Sequence, residues 1–242
     1  MNNRTGPLTE AHGNDITFLS LQDVASDYTS IAASINAQDA KEFLPEYYTS
    51  SNEVLNGFTA QRSVLAKRLL SPDAAVLEFP FGVGRAAVAI EKPLSRGTVT
   101  INGTSTDPAD APIIDFGALR NPVDVRIAVE GIKMARKWFA APSLAVRRPV
   151  GVVPGSNVTT DSQIADFIRT SASASLAHPC GTAQMAPKKH GGVVGPDLKV
   201  YGVRGLRVVD ASIIPLIPAC HLQATVYAVA EKAADIIKGG DA

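Results

Sequence analysis

Apolar residues recur at helical spacing in the middle of the chain. Asn121 suits the N-cap of a helix and Pro122 its first turn. The spacing of the residues that follow predicts a helix with Asp124, Lys133 and Arg136 on its polar face. The apolar face consists of Ile127, Ala128, Ile132, Ala135, Trp138 and Phe139.

A second periodic stretch predicts a helix from about Gln223 to Lys238, ended by Gly239 and Gly240. Its apolar face is expected to contain Val226, Ala230, Ala233 and Ile237. Shorter patterns predict helices over 21–35, 51–70 and 161–170 and strands over 74–79, 86–92, 97–101 and 206–210. Residues 1–20 are polar and typical of turns, and 107–115 forms a proline-broken loop.

The composition is that of an ordinary soluble domain, with 45% hydrophobic and 19% charged residues. Basic and acidic residues both number 23, which argues against a nucleic acid partner or a polybasic membrane anchor. We expect no membrane span, because no apolar run approaches the ~20 residues needed. The compartment stays open: three N-glycosylation triplets weakly indicate a secretory history, whereas the first 15 residues do not resemble a signal peptide.

One glycine motif is expected not to bind a nucleotide. The string "GVGRAA" at 82–87 fits a dinucleotide-binding fingerprint, but that fingerprint requires a helix directly after the glycines. Pro93 and a β-like run follow here. The context instead predicts a glycine-containing bend between two strands.

Two of the four histidines stand where small apolar segments meet breaks in regular structure. His178 lies in "SLAHPCGTAQM" and His221 in "PACHLQATVYA", whereas His12 and His190 lie in polar turns. Loops on a rigid scaffold are where active-site groups concentrate. A zinc site that also uses Cys180 and Cys220 is disfavoured, since the spacing is not that of structural zinc sites and we expect no metal.

The chain resembles the glucose–methanol–choline (GMC) family of flavin oxidoreductases, and its fungal members in particular. The resemblance rests on "HPCGTAQM" (178–185), "GGVVGPDLKVYGVRGLRVVDASIIP" (191–215) and "CHLQATVYAVAEKAADII" (220–237). Weaker agreement is found in "KPLSRGTVTI" (92–101), over 107–137 and in "NNRTGPLT" (2–9). The resemblance implies an α+β fold, with an antiparallel-sheet substrate domain and its helices over 1–170. Residues 171–242 would then carry the active-site histidines and the strand and helix that return to a Rossmann-like FAD domain.

The resemblance also implies roles for individual residues. His178 would be the general base for a substrate hydroxyl, while His221 would hydrogen-bond the alcohol oxygen and hydride passes to FAD. FAD would lie against Asp210, Ala211, His221, Leu222 and Gln223. The alternative for Asp210 is a carboxylate that caps a turn after a strand. Because both histidines would share one substrate oxygen, we predict that their rings lie roughly 4–7 Å apart.

Family members are about twice as long as this chain, and their FAD fingerprint lies in the part that this sequence does not match. We therefore expect a C-terminal half that oxidises a small-molecule alcohol, with a possible partner polypeptide that carries the fingerprint. Three alternatives remain: an FAD-binding cyclase without net redox chemistry, an inactive remnant, and one half of a split enzyme. The isolated chain is expected to bind FAD poorly.

Overall fold

The computed structural model describes residues 15–82, 85–145, 151 and 153–240. Within these ranges the chain combines helices with small antiparallel sheets, which confirms the α+β class. The helices are α1 Leu21–Val24, α2 Tyr28–Ala37, α3 Glu46–Ser50, α4 Asn52–Leu69, α5 Pro122–Phe139, α6 Pro142–Ala145, α7 Asp161–Ser171 and α8 Leu222–Gly240. The strands are β1 Asp15–Leu19, β2 Leu77–Gly82, β3 Arg85–Ala86, β4 Ala89–Ile90, β5 Thr98–Thr100 and β6 Ile113–Asp115.

The chain divides into two compact units. The first contains the described residues of 1–35, 66–93 and 122–172. Here β2 pairs antiparallel with β1, β3 and β4. Helix α5 contributes Trp138, whose ring lies 4.6 Å from the Phe79 ring of β2 in an edge-on arrangement. Aromatic pairs of this geometry add specific packing to the burial of their apolar area.

The second unit contains the described residues of 36–65, 94–121 and 173–240. Strands β5 and β6 form a two-stranded antiparallel sheet with Val99 opposite Ile114. A small core lies between the glycine-rich segment 190–206 and α8. Its buried members are Val194, Leu198, Ile213 and Ala233. This core anchors α8, the helix that begins directly after His221.

The longer periodic patterns predicted their helices well: α4, α5, α7 and α8 lie where expected. Three short elements differ. Residues 15–19 form β1 rather than a turn, because their backbone pairs antiparallel with β2, from Asp15 opposite Phe81 to Leu19 opposite Leu77. The predicted helix over 21–35 is two helices. A capping box of Ser20 and Asp23 begins α1, and the extended backbone at Ala25 ends it after one turn. Residues 113–115, predicted as loop, form β6.

Three details of the sequence interpretation were wrong. Asp124 is 1% exposed rather than on a polar face, in the first turn of α5 where helix amides favour a carboxylate. Helix α8 buries Ala233 against the core, but Ala230 is exposed and Ile237 is 39% exposed. The predicted strand over 206–210 makes only an isolated bridge, between Arg207 and Lys199. The division into family domains at residue 170 stays a prediction.

Candidate active site

His178 is presented by a tight turn in the second unit. Its backbone N–H donates to the Ser175 hydroxyl oxygen at 3.1 Å. Ala177, directly before it, has φ 65°, in the left-handed region that a residue with a side chain rarely adopts. The resulting turn leaves the His178 side chain half-buried. Sequence reasoning did not single out Ser175 and Ala177, although a serine in a run of small residues is a turn signal.

His221 lies at the start of the longest helix in the described chain. Helix α8 begins at Leu222, which is 5% exposed and fixes the start of the helix by its burial. The residue directly before His221, Cys220, has its sulfur 3.7 Å from the Thr225 hydroxyl in the first turns of α8. The His221 side chain is exposed. It therefore stands at a helix N-terminus, where unpaired backbone N–H groups favour an anionic or polar ligand.

The two histidines come together as predicted. Their ring centroids are 4.8 Å apart, with 32° between the ring planes. A neutral imidazole has one N–H donor and one ring nitrogen that accepts. Two such rings at this separation can therefore address a single hydroxyl oxygen, one accepting its proton and the other donating to it.

A short backbone ladder holds the segment after His178 to the segment before His221. The N–H groups of Ala183 and Met185 donate to the carbonyls of Ser212 and Ile213 at 2.9 and 2.7 Å. Gly181 adds a longer bond of 3.3 Å to the Ala211 carbonyl. The two segments therefore run in the same direction, in a fixed register.

The carboxylate of Asp210 caps the turn that follows it. Its Oδ1 atom accepts from the Ser212 amide at 2.8 Å and from the Ser212 hydroxyl at 2.5 Å. These bonds hold a single 3-10 turn over Ala211–Ile213. The geometry supports the capping role for the Asp210 side chain, whereas contact of Asp210 and Ala211 with a cofactor stays a prediction.

The N-terminus of α8 fits one end of the expected cofactor. Its first turn contains no acidic side chain, so nothing there repels an electron-rich or anionic ring. His221 directly precedes this helix end, and Leu222 and Gln223 are the first two residues of the helix. The helix start has the chemistry to hold a flavin ring, although it has no glycine loop of the kind that cradles a pyrophosphate.

The described residues on either side of the glycine motif at 82–87 belong to strands. Strand β2 ends at Gly82 and pairs antiparallel with Arg85, the first residue of β3. Val83 and Gly84 lie outside the described residues. Arg85 begins a strand, at the place where a dinucleotide fingerprint requires a helix. The predicted glycine-containing bend itself, and the expectation that it binds no nucleotide, stay predictions.

The cysteines near the histidines are free thiols. Burial raises the pKa of the Cys180 thiol, and the positive charge of Arg96 opposes that shift. Within the described ranges, no three His, Cys, Asp or Glu side chains are grouped so that they could hold a metal ion. In the same ranges, no helix is long and apolar enough to cross a membrane.

Comparisons with known proteins identify the family. The model of the GMC oxidoreductase family matches residues 93–230, so the chain belongs to the GMC oxidoreductases. A curated relative, dehydrogenase xptC of Emericella nidulans, is 37% identical over 235 residues, which cover 96% of this chain and 37% of xptC.

Two solved structures agree closely with the fold. A fungal aryl-alcohol oxidase superposes with a TM-score of 0.88 at 39% identity, over 96% of this chain and 40% of the oxidase. An FAD-dependent oxidoreductase from Chaetomium thermophilum gives a TM-score of 0.88 at 41% identity, over 93% of this chain and 38% of that protein. The chain thus spans about two fifths of the proteins that it matches.

Proposed function

We propose that this chain supplies the substrate-activating histidines of an FAD-dependent GMC oxidoreductase that oxidises an alcohol CH–OH to a carbonyl. The observation that carries the proposal is the 4.8 Å separation of the His178 and His221 rings, on two segments that match the family. A pair of imidazoles is suited to a hydroxyl group because imidazole exchanges protons near neutral pH.

His178 is the general base in this proposal. Its ring nitrogen accepts the hydroxyl proton as the carbon–oxygen double bond forms. The FAD cofactor, when bound, supplies the acceptor for the hydride that leaves the same carbon. The turn at Ser175 and Ala177 fixes the backbone of His178 and so limits the positions that its ring can adopt.

His221 donates a hydrogen bond to the alcohol oxygen and holds it against His178. Its position at the start of α8 adds the positive end of the helix dipole. In this proposal the backbone at His221, Leu222 and Gln223 would hold the flavin ring, and Asp210 and Ala211 would contact the cofactor. Partial positive charge at this helix end favours negative charge that develops nearby.

A second polypeptide segment is needed to complete the cofactor site in this proposal. The matched proteins are more than twice as long as this chain, and a dinucleotide fingerprint is the usual cradle for pyrophosphate. One face of the β5–β6 sheet carries apolar side chains that are about half exposed or more, namely Val99, Ile101, Ile114 and Phe116. A face of this kind is suited to contact with additional protein.

The proposal is tested in a chimera. This chain replaces the matching two fifths of the aryl-alcohol oxidase, which supplies the remaining residues. We expect a yellow protein whose flavin colour bleaches when an aryl alcohol is added without oxygen. Retention of FAD without bleaching by an aryl alcohol or a pyranose would favour an FAD-binding cyclase or an inactive remnant and would contradict the proposal.

A further inference from the structure

A glutamine on α4 is hydrogen-bonded to both segments that carry the histidines. The Nε2 atom of Gln61 donates to Gln184 Oε1 at 2.8 Å and to the Pro215 carbonyl at 2.9 Å. Gln184 lies six residues after His178, and Pro215 lies six residues before His221. The side-chain amide of Gln61 thus donates to both the segment after His178 and the segment before His221.

The orientation of the Gln61 amide is fixed by its third partner. Its Oε1 atom accepts from the Arg96 guanidinium at 3.1 Å. Arg96 can only donate and the Pro215 carbonyl can only accept, so a flipped amide would lose both bonds. The guanidinium itself lies over the Phe58 ring of α4, 5.4 Å from the ring centroid.

Gln184 extends the network into the turn that follows. Its Nε2 atom donates to the carbonyls of His190 and Gly191, both at 3.3 Å. Its Oε1 atom is the acceptor for Gln61. Gln184 is half-buried, as is Gln61, so water competes only partly for these bonds.

The path of the chain shows why the Gln61 hydrogen bonds affect the positions of the histidines. The backbone ladder runs in parallel from Gly181 towards Met185 and from Ala211 towards Ile213. His178 lies before the first residue of the ladder, whereas Pro215 lies after its last residue. The chain must therefore reverse direction between Pro215 and His221 to bring the two rings together. Pro215 and Pro218 have no N–H to donate within this connection. The Gln61 bond to the Pro215 carbonyl fixes the point from which the return begins.

We propose that Gln61 is a positioning residue that sets the separation of the His178 and His221 rings, acting with Gln184. The meaning of that separation for catalysis rests on the proposed function. The separation itself does not, because it is measured without flavin or turnover. Gln61 touches neither ring in this role and acts through the two segments it binds.

The test is the nuclear Overhauser effect (NOE) between the two imidazole rings in the 242-residue chain, labelled at histidine. Signals are assigned with His178→Gln and His221→Asn. Gln61→Met keeps the length of the side chain and removes its amide. The matched control is Gln22→Met, because Gln22 also donates from its amide to a backbone carbonyl, that of Leu70 at 2.7 Å, in the other unit.

We expect the ring–ring NOE in the wild type and in Gln22→Met, and its loss in Gln61→Met. Gln184→Met is expected to lose the NOE as well. The double variant of Gln61 and Gln184 should lower Tm no more than either single variant, as for residues that act as a unit. If Gln61→Met does not fold, the NOE of Gln184→Met tests the proposal in its place. Lower Tm with an unchanged NOE in the Gln61 and Gln184 variants would show a merely structural network and overturn the proposal, as would a wild type without the NOE. Failure of the chimera to oxidise alcohols would count against the proposed function alone.

Discussion

The α-carbon of Gly57 on α4 lies directly against the carbonyl of His190. A methyl group at position 57 would overlap the His190 oxygen. This close approach explains why a glycine occupies the interior of an otherwise regular helix, where it usually weakens the helix. It also brings α4 to the turn whose carbonyls accept from Gln184.

We predict that Gly57→Ala destabilises the protein, although alanine favours an isolated helix by about 1 kcal/mol. The overlap is with backbone, which cannot rotate away, so we expect a loss of about 1–3 kcal/mol in the free energy of unfolding. Urea unfolding measures it. Gly103→Ala is the control, since a methyl group there meets no atom within 4 Å and should change little. A more stable Gly57→Ala protein would contradict the close approach.

Ala177 provides a second backbone test, beside His178. Because φ is 65° at this alanine, Ala177→Gly should relieve strain and raise the free energy of unfolding by up to about 1 kcal/mol. The matched control is Ala230→Gly, at an exposed position within α8, which should lower it by about 1 kcal/mol. Denaturant titration of both variants checks the opposite signs. Equal losses in both would show that residue 177 is not strained.

A buried carboxyl pair in the first unit predicts a dependence of stability on pH. Glu78 on β2 and Glu91 after β4 are 1% and 7% exposed. Burial raises the pKa of Glu91 from 4.5 to about 7, with further contributions from the hydrogen bond and charge of Glu78 and an opposing one from Lys92. Folded Glu91 therefore keeps its proton at pH values where the unfolded chain has lost it. The folded state is destabilised as pH rises from 4.5 to about 7, and the effect is constant above that range.

We expect the free energy of unfolding to fall by about 2–3 kcal/mol between these pH values because of this group. Glu91→Gln cannot ionise and can still donate to Glu78, so its unfolding free energy should show a flatter pH dependence. Urea titrations across the range measure both proteins. Glu231→Gln, an exposed change on α8, should keep the wild-type slope. A Glu91→Gln protein with that same slope would refute the assignment.

The isolated chain is predicted to bind FAD weakly. The helix start at Leu222 is proposed to hold the flavin ring, but Arg85 and Ala86 form a strand where a phosphate-binding fingerprint requires a helix. Two or three missing charge-assisted bonds, each worth about 1.5–3 kcal/mol, weaken binding by roughly 100- to 1,000,000-fold. Flavin fluorescence titrations of the isolated chain and of the aryl-alcohol oxidase measure the difference. Affinities within tenfold of each other would contradict this prediction.

Much of the helical framework could be predicted from the sequence, because the segments of α5 and α8 repeat apolar residues at helical spacing over several turns. Proximity of the histidines was also predicted, although through the family resemblance of their motifs rather than through periodicity. Short strands such as β6 were missed, since three residues carry too little pattern and depend on a partner strand.

Tertiary contacts account for what could not be predicted. Nothing local in the sequence links Gln61 to Gln184 and Pro215, which lie 123 and 154 residues further along the chain. The burial of Asp124 likewise depends on what packs around the start of α5. Residues that position a site through distant partners are invisible to patterns of neighbouring residues.

The most direct test of the central claim compares two identical substitutions in the chimera. His178→Gln removes the proposed base, and His190→Gln removes a histidine whose ring is outside the pair. The measurement is the rate of anaerobic flavin reduction by an aryl alcohol, with FAD content determined for each protein. We predict that His178→Gln retains FAD but slows reduction by at least about 100-fold, the effect typical of losing a general base, while His190→Gln reduces at the unsubstituted rate. Equal rates in the two variants would contradict the account.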